Sequence, residues 1–294
     1  MIALAGRFLS RVVLLVILAP FLSACMQGGT TLINLPARLA GGHEIVEAAY
    51  GPDPMQRLDI YIPGEATGEA RDMPRDVIVF FYGGRWTTGQ KEDFRFVGAA
   101  LAKRGFIVVI PDTRHYPAVR FPTFVEDGAR AVAWVDDHIA GHGGRRDRIF
   151  LAGHSSGAHI AALLAADERF LAAQGKDAAS VIRAFAGLAG PYAFTPGEPD
   201  LQDMFGPPDR YAQMQVPSFI DGREPPMLLL HGDKDSTVGA FNHEKLAARI
   251  REKGGRVQVI TYPDAGHIGL ITAFSSVLGG APVVEDVVGF FRLK

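Results

Sequence analysis

Three residue types that together activate a hydroxyl occur in this chain in a workable order. Ser155 sits in Gly153-His154-Ser155-Ser156-Gly157, Asp233 and Asp235 lie in His231-Gly232-Asp233-Lys234-Asp235, and His267 ends Asp264-Ala265-Gly266-His267. A serine hydroxyl attacks a carbonyl only when a base takes its proton and an acid orients that base. The chemistry on offer is therefore acyl transfer, with Ser155 as nucleophile and His267 as base. Either Asp233 or Asp235 could be the acid. Asp235 is preferred because it lies deeper in its loop, whereas Asp264 is so close to the histidine that it is read as shaping the turn. The developing oxyanion needs backbone donors. Gly83 and Gly84, in Phe81-Tyr82-Gly83-Gly84-Arg85-Trp86, and the N–H of Ser156 are the candidates.

These groups converge only if the chain between them alternates strands and helices. Short apolar runs at Val77–Tyr82, Phe106–Ile110, Ile149–Ala152, Ala184–Leu188, Met227–Leu230 and Val257–Tyr262 suit parallel strands covered on both faces. Arg57–Ile62 alternates and predicts a half-buried strand near an antiparallel edge. Helical patterns fill the intervals at Phe94–Arg104, Thr123–Ile139, Ser156–Ala166, Asn242–Lys253 and Val283–Phe290. The expected fold is a doubly wound, mostly parallel α/β sheet. Residues 191–226, rich in Pro and Gly and lying between two strands, read as a cap or lid insertion. Ser155 then falls on the sharp turn from strand to helix, where flanking glycines leave room that a Cβ would fill. His267 falls on a loop after the last strand.

The composition excludes several classes. The chain has 294 residues, 48% hydrophobic and 21% charged, which is ordinary globular composition rather than a disordered or fibrous one. A net charge of −2 without a basic block argues against nucleic acid as a partner. No nucleotide- or phosphate-binding fingerprint is present, and no cofactor or metal is expected. His138 and His142, four residues apart at a helix end, are read as a solvated end rather than a metal site. His154 and His159 are read as packing and hydrogen-bonding residues. Residues 1–24 place Arg7 and Arg11 ahead of the apolar run Val12–Ala19, the pattern of a secretory signal, and the run is too short to span a membrane.

Two resemblances follow. Leu22-Ser23-Ala24-Cys25 resembles the lipobox of bacterial lipoproteins, and Cys25 is the only cysteine in the chain. The resemblance implies lipid attachment at Cys25, a tether over 25–42 and a domain over 43–294. It also implies a place in the cell envelope, where Met26 rather than Asp favours the outer membrane. The rest of the chain resembles the α/β-hydrolase carboxylesterases and lipases that include kynurenine formamidases, prenylcysteine methylesterases and feruloyl/acetyl-xylan esterases. That group shows H-G-G-x-W, D-Y-R-L-x-P, F-P-x-x-x-x-D, G-x-S-x-G-A-H, H-G-x-x-D-x-x-V and a late G-H. Here these stand as Tyr82–Trp86, Asp112–Pro117, Phe121–Asp127, Gly153–His159, His231–Val238 and Gly266-His267. The resemblance implies a Ser155–Asp235–His267 triad cleaving small or medium carboxylic esters. It leaves open amide cleavage of the arylformamidase type and a non-catalytic envelope scaffold. Tyr82 stands where the group has histidine, and Thr113 and His115 replace its Tyr and Leu.

Overall fold

The computed structural model describes residues 33–34, 42–64 and 73–294. The expectations for residues 1–24, for Cys25 and for most of the tether lie outside the described residues. Among those described, no helix is long and apolar enough to cross a membrane.

Eight strands form one sheet: β1 (His43–Ala49), β2 (Arg57–Pro63), β3 (Arg75–Phe81), β4 (Ile107–Pro111), β5 (Gly144–His154), β6 (Ile182–Leu188), β7 (Met227–Gly232) and β8 (Val257–Tyr262). Their order is β1-β2-β4-β3-β5-β6-β7-β8. β2 is antiparallel to β1 and β4, and all other neighbours are parallel. Apart from the two edge strands, β1 and β8, the strand interiors are largely apolar on both faces because helices cover both. Val77, Val79 and Phe81 enter one core with α2 (Thr123–His138), α3 (Ser156–Ala166) and α4 (Phe241–Glu252). Ile78 and Phe80 enter the other with α1 (Arg95–Ala102), α5 (His267–Thr272) and α6 (Val283–Arg292). The doubly wound expectation holds.

Four expectations need correction. β8 is not covered on both faces: it is the last strand of the sheet, with Gln258 and Thr261 exposed and only Tyr262 buried. β2 is not half-buried: Leu58, Asp59, Ile60 and Tyr61 are all buried. Gly98 of α1 lies directly on the Tyr61 ring, where a Cβ would come within 2.7 Å, and the Lys91 ammonium meets Asp59 at 3.0 Å. His267 is not on an irregular loop; it is the first residue of α5. The chain over 25–42 is not a tether throughout, because Asn34 is buried against the turn before α1. Its Nδ2 donates to the carbonyls of Glu92 and Asp93, and its Oδ1 accepts the Phe96 N–H at 3.0 Å.

The sheet order places the site. From β3 the chain goes outward to β4, then crosses back over β3 to β5. The crevice between two such oppositely directed crossovers lies at the carboxyl ends of β3 and β5, where open parallel sheets bind ligands. The segments that emerge there are Tyr82–Trp86 and His154–Ser156.

Candidate active site

Ser155 takes φ +54° and ψ −125° between β5 and α3. That conformation costs about 1–3 kcal/mol for a residue with a side chain and persists only where the surroundings impose it. Here they do. The turn presses the start of α3 onto the end of β3, so a Cβ on Gly157 would lie 2.2 Å from the Phe81 carbonyl oxygen. One on Gly153 would lie 2.6 Å from the oxygen of Gly157. The glycine flanks are thus required by backbone proximity, as the sequence suggested.

The three expected side chains meet. Ser155 Oγ lies 3.0 Å from His267 Nε2, and His267 Nδ1 lies 2.8 Å from Asp235 Oδ2. The other Asp235 oxygen accepts the N–H groups of Thr237 and Val238, both at 2.8 Å. Burial by itself raises the Asp235 carboxyl, but the Val238 N–H, the His267 ring and the Thr237 N–H outweigh it and hold the group below the usual carboxylate range. An ionised carboxylate only accepts, so His267 carries its proton on Nδ1 and presents the Nε2 lone pair to the serine hydroxyl. The alternative acids are elsewhere: Asp264 is exposed and paired with Lys234 at 2.7 Å. Asp233 is exposed, and its N–H bonds the Tyr262 carbonyl.

Gly83 packs against the nucleophile, since a Cβ there would lie 3.0 Å from Ser155 Cβ. Among the described residues no protein group accepts the N–H of Gly83, Gly84 or Ser156. Beyond the glycines, Arg85 and Trp86 both take positive φ, 55° and 59°. Arg85 is held by the carboxylates of Glu198 and Asp200. Trp86 is wedged among Phe124, His159, Phe194 and Phe205. A cavity of about 300 Å³ opens beside Ser155, walled by Trp86, Phe194, Leu201, Val238 and Phe241.

The departures at Tyr82 and His115 lie in one contact, their rings edge to face at 6.4 Å. The Tyr82 hydroxyl donates to Asp112 Oδ1 at 2.7 Å, and the same oxygen accepts the Lys91 N–H at 2.7 Å. Burial raises the Asp112 carboxyl to about 6 against these two bonds. Tyr82 thereby ties the Gly-Gly loop to the end of β4, a role no spacing announced. Arg114 and Asp127, from the next two motifs, form a two-pronged pair with contacts of 2.8 and 2.9 Å. His159 is a packing residue as expected, donating to the Met214 carbonyl at 2.7 Å. At the end of α2, His138 Nδ1 donates to the Trp134 carbonyl at 2.8 Å and its ring stacks on that indole.

A doubly wound sheet carrying a Ser–His–Asp relay at its switch point is the α/β-hydrolase fold. Solved structures share it. A truncated carbohydrate esterase from gut microbiota superposes with a TM-score of 0.72 at 20% identity, covering 86% of this chain and 96% of that one. Esterase 2 of Thermogutta terrifontis, phosphoramylated by tabun, gives 0.67 at 24% identity over 86% and 92%. The chain belongs to the BD-FAE family, whose model matches residues 58–250. It is 30% identical over 263 residues to a probable isoprenylcysteine alpha-carbonyl methylesterase of Arabidopsis thaliana, covering 81% of this chain and 54% of that protein. It is 29% identical to the esterase LipQ of Mycobacterium tuberculosis, covering 88% and 66%. The chain thus spans about half to two thirds of the length of these relatives.

Proposed function

We propose that this chain is a serine hydrolase that cleaves carboxylic esters of small or medium size through an acyl-enzyme. The observation that carries the reading is the unbroken relay that starts at Ser155 Oγ, beside a cavity, and runs through His267 to Asp235. Ser155 Oγ attacks the carbonyl carbon as its proton passes to His267 Nε2. The carbonyl oxygen, now anionic, faces the N–H groups of Gly83, Gly84 and Ser156. Collapse breaks the ester C–O bond, and His267 returns the proton to the departing alkoxide. Water then repeats the sequence on the acyl-serine and frees the acid. Asp235 holds the His267 tautomer and stabilises its charged form. The cavity volume sits at the small end of ligand pockets, which supports the substrate size. Residues 191–226 supply Phe194 and Leu201 to its wall and act as the cap.

The test is turnover of p-nitrophenyl esters from acetate to palmitate by the full chain in mild detergent. Short and medium esters should turn over, with palmitate far slower, and Ser155→Ala should lower kcat by roughly 10³-fold or more. A folded chain that cleaves none of these esters, or a Ser155→Ala variant within a few-fold of the parent, rejects the reading.

We also infer that Cys25 bears the lipid anchor of an envelope protein. The support is the lipobox and the uniqueness of the cysteine. Nine residues later Asn34 is already fixed to the fold, so the tether reaches at most about 30 Å. Mass spectrometry of the membrane fraction should find an acylated N-terminal fragment beginning at Cys25. Cys25→Ser should move the enzyme out of that fraction, and unchanged partition would reject the anchor.

A further inference from the structure

His154 fills the free position of the Gly-x-Ser-x-Gly turn, where sequence alone asks nothing of it. In the fold it adjoins the base, the nucleophile and the loop of Gly83. It immediately precedes Ser155 and is 3% exposed. Its Nε2 lies 3.1 Å from the carbonyl oxygen of His267. A carbonyl only accepts, so Nε2 carries a proton and donates. The two imidazoles pack with centroids 4.8 Å apart. On its other side the ring backs the oxyanion loop: a Cβ on Gly83 would lie 2.9 Å from His154 Nδ1. One side chain therefore contacts the base, adjoins the nucleophile and seats the oxyanion loop.

We propose that His154 is a positioning residue for ester hydrolysis, holding the main chain of His267 through its Nε2–H and Gly83 through its ring edge. The proposal rests on the hydrolase reading above. The bond it makes is to the backbone of the base, so its loss lets His267 drift from Ser155 without emptying the cavity. The expected signature is a fall in kcat with KM preserved. Burial, with repulsion from His267 added, pushes the His154 ring down to about 3, so it stays uncharged beside the base at neutral pH.

The experiment compares His154→Leu and His154→Gln in the full chain, with p-nitrophenyl butyrate as substrate. The glutamine amide can reach the His267 carbonyl as a donor, and leucine cannot. Displacing a reacting group by about 1 Å can cost about 100-fold. His154→Leu is accordingly expected to lose roughly 10- to 100-fold in kcat with KM within about two-fold, and His154→Gln to recover most of that loss. Thermal melts confirm that each variant is folded, and His154→Met replaces the leucine variant if that one is not. Equal losses in the Gln and apolar variants, a loss confined to KM, or an apolar variant with parental kcat would each overturn the assignment. Serine-dependent turnover by the parent is measured first. Its absence rejects the hydrolase reading itself, whereas a parental rate in the apolar variant rejects only the role of His154.

Discussion

Two polar clusters flank the loop that leaves β3, and they are built on opposite plans. On one side Ser155, His267 and Asp235 form a line of single contacts that begins at an oxygen facing a cavity. On the other, the Lys91 ammonium, 4% exposed, is surrounded by Glu47 at 2.9 Å, Asp59 at 3.0 Å and Glu92. Those three carboxylates are, among the described residues, the one set close enough together to suggest a cation site, and lysine already spans it. Burial alone would lower the Lys91 ammonium, but its bonds to Glu92, Glu47 and Asp59 more than reverse that and keep it charged. The two clusters share a support, since Asp112 Oδ1 accepts both the Tyr82 hydroxyl and the Lys91 N–H. A buried carboxylate side chain, Asp235 in one and Asp59 in the other, is thus common to both. What separates a reactive site from an architectural one is whether the chain of partners ends at an atom with an open side.

The largest break in that contrast comes at Asp235. Asp235→Asn should lower kcat by roughly 10²- to 10⁴-fold while the urea midpoint moves little, because an amide cannot hold the His267 tautomer. The reverse pattern is expected at Lys91. Lys91→Met leaves Asp59 buried without its counter-charge, which should cost about 3–5 kcal/mol in urea unfolding at pH 7. In that variant kcat per folded molecule should stay within a few-fold, and adding Asp59→Asn should restore part of the stability. A smaller effect belongs to Asp112. Its folded carboxyl titrates at about 6, above the ordinary value of 3.8, so from about pH 4 to pH 6 the folded state holds more protons than the unfolded one. This group therefore subtracts stability as pH rises through that window. The stability of Asp112→Asn relative to the parent should improve between pH 4 and pH 7, and an unchanged difference would contradict the assigned titration. The smallest effect is at Asp264. Its partner Lys234 and its own carboxylate are both exposed, so Asp264→Asn should leave kcat within about two-fold and stability within about 0.5 kcal/mol.

Much of this was legible because burial on both faces writes itself as uninterrupted apolar runs. β3 through β7 and α3 follow from composition, and the glycines of the serine turn mark where backbones meet. What escaped notice was set by partners distant in sequence. β1, His-Glu-Ile-Val-Glu-Ala-Ala, is an edge strand with no buried residue, so its pattern carried no apolar face. Asp59 and Tyr61 look solvent-facing until Lys91 and Gly98 are brought onto them. The triad could be named because its members follow a fixed order, whereas His154 could not be ranked. Its value lies in a carbonyl 113 residues away. Tyr82 likewise read as a lost histidine, although its hydroxyl reaches an aspartate at the end of the next strand in sequence.

The seat of Asn34 has a mechanical consequence. Three hydrogen bonds fasten this one side chain to residues 92–96, so traction on the chain upstream enters the fold there and not at β1. The same turn carries Lys91, whose N–H braces Asp112 beneath the Gly83-Gly84 loop. Traction applied upstream of Asn34 would thus load the footing of the Gly83-Gly84 loop.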